Sequence, residues 1–66
     1  MLNKGIRAKD VFYEPRTPVD STRQLELLDG WMDIQDMTDM ARVVFTINMR
    51  IAMDDAYEQG MRAANE

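Results

Sequence analysis

The chain has 66 residues, a formal net charge of -4, 45% apolar residues, and neither cysteine nor histidine. Ordering so short a chain costs on the order of 100 kcal/mol, at roughly 1.5 kcal/mol per residue, and one small core barely offsets that. A disulfide staple is excluded and a structural zinc site loses its usual ligands, so self-association or docking on a larger protein is left to complete the burial.

No stretch approaches the ~20 consecutive apolar residues of a membrane span. Residues 1–9 are basic but lead into no apolar run, so they do not read as a signal peptide. The expectation is a cytoplasmic protein without membrane contact. Charge is uneven along the chain. Residues 1–16 carry four basic side chains against Asp10 and Glu14, and the remainder carries four arginines against ten acids. An acidic body repels phosphate, which disfavours general nucleic-acid binding.

Residues 1–20 read as an extended arm. Pro15 and Pro18 fix φ, remove backbone donors and push their predecessors out of helical geometry. Val11, Phe12 and Tyr13 form a compact apolar cluster in it. That cluster either docks on a partner or folds back over the chain's own core, and a core this small gains from every aromatic it buries.

A helical domain, residues 21–66, follows. The first helix is predicted over 21–35. Asp20 or Ser21 suits its N-cap, and Ser21 with Gln24 has the spacing of a capping box. Leu25, Leu27, Leu28, Trp31, Met32 and Ile34 cover one broad face. Gly30 weakens the helix and suggests close approach of another helix beside Trp31. One unbroken helix to residue 64 would be ~65 Å long, more than such a chain can bury. A turn is therefore expected at 35–38, with Asp36 and Thr38 as caps for the second helix.

The second helix is predicted over 38–64, ~40 Å against ~22 Å for the first. Met40, Val44, Ile47 and Ile51 follow the 4-3-4 spacing of a coiled-coil seam, widened by Val43, Phe45, Met49 and Ala52. Beyond residue 52 the seam line turns charged at Asp55, Glu58 and Arg62, while Met53, Tyr57 and Met61 move round the helix. This shift suggests a first half packed in the core and a second half that meets another chain or water. Asn48 falls within the apolar arc, where a polar side chain fixes register in a helical oligomer. Val44, Ile47, Asn48, Ile51, Met53 and Tyr57 are the candidate oligomer interface.

Residues 42–51 also fit a strand, which would make the fold α+β. Val43, Phe45, Ile47, Met49 and Ile51 alternate with Arg42, Thr46, Asn48 and Arg50, the chemistry of a β-ribbon that reads a DNA groove. Against this, no turn residues flank the segment and no strong partner strand exists in the chain. An all-α fold of arm, short helix and long helix is the preferred reading.

Glu26, Asp29, Asp33 and Asp36 gather into an acidic ridge on the first helix. It reads either as an ordinary solvated face or as a surface that mimics nucleic-acid charge for a basic partner. The spacing of its acids does not match a calcium loop, and Asp54, Asp55 and Glu58 would hold Mg²⁺ only with substrate phosphates to complete the shell. Seven methionines supply soft, adaptable surface. No nucleophile stands beside a base and no glycine-rich phosphate loop is present, so neither enzymatic activity nor a cofactor is expected. The functional expectation is a small protein–protein interaction module: an adaptor, assembly factor or inhibitor, of the kind phages and mobile elements carry as accessory proteins. Its alternatives are the acidic inhibitor and the β-ribbon DNA binder.

Overall fold

A computed structural model describes residues 5–64, and it is mostly helical. Lys4, part of the basic run at the start of the chain, lies outside the described residues. The arm begins extended, makes a short 3-10 turn at Ala8–Asp10, and runs on to Ser21 without regular structure. Helix α1 spans Thr22–Ile34 and helix α2 spans Asp39–Ala64. Both helices and the turn between them fall where hydrophobic spacing and capping residues place them.

The ends of α1 are made by neighbouring side chains and backbone. Ser21 stands at the N-cap but makes no side-chain capping bond. Instead the Asp20 carboxylate accepts the Thr22 N–H at 3.1 Å, so the expected capping box with Gln24 does not form. That bond holds the Asp20 carboxyl below its ordinary pKa. At the other end Asp36 has φ 53°, the Met37 N–H donates to the Met32 carbonyl, and the Asp36 N–H donates to the Asp33 carbonyl. This is a Schellman motif, with an aspartate in the left-handed position that glycine usually holds. Asp36 thus ends α1 rather than starting α2. Thr38 starts α2, its hydroxyl accepting the Ala41 N–H at 3.2 Å.

Residues 42–51 are helical, and no strand occurs among the described residues. The ribbon face does not exist. Arg42 and Thr46 are buried, Arg50 lies over the Tyr13 ring, and Asn48 is exposed on another side. A lone strand would leave its backbone donors unpaired, whereas a helix satisfies them within the segment.

The core is small. Ala8, Leu25, Leu28 and Met32 form its centre, with Met37 and Met49 packed against it. Val11 is buried in the arm, so the arm folds back over the chain while Phe12 beside it stays 86% exposed. The molecule is a rod of 52 × 17 × 15 Å. Its radius of gyration is 13.6 Å, against about 11 Å for a compact chain of this length. A Cβ placed on Gly30 meets nothing within 4 Å, so that glycine does not serve close helix approach within the chain.

Candidate interaction surface

The arm has no partner strand, so its backbone donors need other acceptors. Carboxylates on the helices supply them. The Ile6 N–H donates to Asp39 at 3.1 Å, the Ala8 N–H to Asp29 at 2.7 Å, and the Arg16 N–H to Asp54 at 3.0 Å. The arm therefore runs along α2 from its first turn to its middle.

Two clamps fix it there. In the first, Asp33 accepts both terminal nitrogens of Arg7, at 3.1 and 2.6 Å, and Nη1 of Arg42 at 2.7 Å. Arg42 is 2% exposed, and its Nε donates to the Met37 carbonyl at 2.8 Å. One carboxylate thus joins arm, α1 and α2. The hydrogen bond from Arg7, then that from Arg42, holds Asp33 well below the usual carboxylate range. In the second clamp the buried carboxylate of Asp54 accepts Thr17 Oγ1 at 2.5 Å, the Tyr13 hydroxyl at 2.6 Å and the Arg16 N–H. These bonds lower its pKa to about 2. The same contact raises the pKa of Tyr13, because a phenol that donates to a carboxylate resists losing its proton. Arg16 reaches Asp55 at 2.7 Å and Glu58 at 3.6 Å, and the Arg50 guanidinium sits 5.0 Å from the Tyr13 ring centre.

These contacts turn α2 opposite to the seam expectation. Its buried residues are Arg42, Thr46 and Asp54. Met40 is 78% exposed, Val44, Phe45 and Ile51 are exposed as well, and Ile47 is half-buried at the edge. The first half of the helix does not pack its apolar stripe within the chain. The reason is specific pairing: Arg42 and Asp54 find charged and hydroxyl partners on the inner side, and a rotation that buried Val44 would strip them of those partners.

Helix α1 divides in the same way. Leu25, Leu28 and Met32 turn inward, while Leu27, Trp31 and Ile34 turn out. The Trp31 and Phe45 rings touch, with centroids 5.6 Å apart and planes tilted by 58°, and so join the two outward stripes. Together the stripes leave Leu27, Trp31, Ile34, Met40, Val44, Phe45 and Ile51 between 39% and 81% exposed, and exposed apolar side chains joined in this way mark interaction surfaces. Compared with family models, with curated proteins and with solved structures, the chain matches none.

The expected interface residues do not all share this surface. Val44, Asn48 and Ile51 lie on it and Ile47 borders it. Met53 and Tyr57 are half-buried on the arm side, with Met53 about 180° round the helix from Val44. The acidic ridge is also divided: Asp29 and Asp33 are bound to the arm, while Glu26 and Asp36 face outward. Sequence reasoning missed Asp54 and Arg42 as structural centres. Their one visible signal was a charge on each helical line that otherwise carries half-buried apolar residues.

Proposed function

We propose that this chain is a small protein–protein interaction module that works by self-association through the outward side of α1 and α2. One observation carries the reading: α2 holds its polar side against its own arm and leaves its apolar side open. A soluble monomer with that arrangement keeps in water the surface that gains most from burial. Trp31 and Phe45 supply aromatic anchors of the kind enriched at interface cores, with Leu27 and Val44 as the apolar contacts around them. The acidic-inhibitor reading has less support, because two of its four carboxylates are already engaged within the chain, Asp33 by Arg7 and Arg42 and Asp29 by the Ala8 N–H.

Sedimentation equilibrium tests the proposal. The wild type is expected to show a mass above one copy, and Val44→Asp combined with Ile51→Asp to return it to one copy. Both substitutions are on the open side, so helix content by circular dichroism is the internal control. A wild-type mass of one copy across micromolar to millimolar concentration rejects the proposal.

A further inference from the structure

The occupant of the open face is a second copy of this chain, and we infer that the two α2 helices pair antiparallel about a two-fold axis at Asn48. The inference rests on the self-association just proposed and adds its geometry. Asn48 is exposed near the centre of the apolar arc of α2, between Val44 and Ala52. It is also the midpoint of the stretch from Met40 to Ala56 in sequence. In an antiparallel pair centred there, residues equally far from position 48 meet. Val44 stands against the partner's Ala52, Met40 against the partner's Ala56, and Phe45 against the partner's Ile51.

Those pairings match bulk to gap. Ala52 and Ala56 leave room on the C-terminal half of this face, and Val44 and Met40 fill it from the opposite copy. A parallel pair does the reverse. It stacks the large residues on their own copies, faces alanine with alanine, and brings Asp55 against Asp55. Like charges across an interface penalise that alignment. The carboxamide of Asn48 has donor and acceptor on one group, so two copies on the axis satisfy each other in a water-poor interface. A lone polar residue in such a seam fixes register, and the two-fold makes the contact isologous. The face this pairing covers carries Met40, Val44, Phe45 and Ile51, 78, 49, 48 and 39% exposed, with Trp31 of α1 against Phe45 at its edge.

The chain has no cysteine, so single introduced thiols report proximity cleanly. Copies carrying Val44→Cys and copies carrying Ala52→Cys are refolded together, oxidised, and their disulfides identified by mass spectrometry. The mixed 44–52 product is expected to outnumber the 44–44 product several-fold. Phe45→Cys with Ile51→Cys gives the same inequality at an independent pair. Asn48→Leu, introduced into both copies, is expected to narrow the ratio by releasing register. A predominant 44–44 product in a protein that sediments as a dimer overturns the antiparallel geometry and leaves self-association standing. A wild-type mass of one copy overturns both.

Discussion

The two sides of α2 invert the usual division of a surface helix. The inner side carries a buried arginine bonded to Asp33 of α1 and to the Met37 carbonyl in the turn, and a buried aspartate bonded to Tyr13, Arg16 and Thr17 of the arm. The outer side carries Met40, Val44, Phe45 and Ile51, between 39% and 78% exposed. The difference shows how a short chain divides its limited chemistry. Directional bonds hold an arm in one register, which apolar contact alone does not do. Apolar area is non-directional, and on the outer side it is left open.

Breaking the inner side has the largest expected effect on the fold. Asp54→Ala removes the acceptor of Tyr13, Arg16 and Thr17 together, leaving two hydroxyls and an amide without it in a half-buried place. Its melting temperature is expected to fall further than that of any other single variant described here, with hydrogen exchange at the Arg16 amide rising to the rate of an open segment. Substitution of outward residues leaves that amide protected. Rapid exchange at Arg16 in the wild type would show that the second clamp does not hold the arm.

The same bond makes the inner side sensitive to pH at both extremes. Asp54 titrates near about 2 in the fold against 3.8 when free, so the fold favours its ionised form. That contribution is complete above 3.8 and drains as pH falls toward about 2. Asp33, also lowered, adds to the acid limb. Tyr13 is raised above 10, so its contribution is complete below 10 and drains as pH rises through the raised value. Thermal melts across the pH range are expected to show both limbs. Tyr13→Phe removes the alkaline limb and makes the acid one shallower, because Asp54 then lacks one of its donors.

Gly5→Ala tests the first clamp more gently. Gly5 has φ +62°, and a Cβ there would stand 2.7 Å from Arg42 Nε and 2.8 Å from Asp39 Oδ1. The left-handed backbone and the crowding together are expected to cost about 2 kcal/mol, read from urea unfolding. Arg42 has to keep its bonds to Met37 and Asp33, so it cannot yield without disturbing the inner side.

Periodicity and capping residues made the helices legible. The break at 35–38 followed from length, and Thr38 announced the start of α2. The direction in which α2 faces was not legible, because hydropathy scores Arg42, Thr46 and Asp54 as solvent residues whatever they touch. The partners of Arg42 and Asp54 lie 5 to 41 positions away, and no local pattern joins Tyr13 and Thr17 to Asp54. Spacing picked out the stripe of Met40, Val44, Ile47 and Ile51, but the expectation that it packs in the core fails: three of the four are exposed and Ile47 is half-buried. Whether that stripe meets its own chain or another is decided by which side the arm occupies.

Thr46 sharpens the comparison with the smallest expected effect. It is fully buried on the inner side, yet its hydroxyl has no hydrogen-bond partner. Arg42 and Asp54 are buried because they are paired, so their loss destabilises. Thr46 is buried without pairing, so removing its hydroxyl costs no bond. Thr46→Val keeps the branched shape and drops the unsatisfied group. It is expected to stabilise the fold by about 1 kcal/mol, measured by urea unfolding. A loss of stability instead would mean that the hydroxyl is answered, by water or by the Arg42 carbonyl one turn back. The buried polar groups on the inner side of α2 would then all be satisfied.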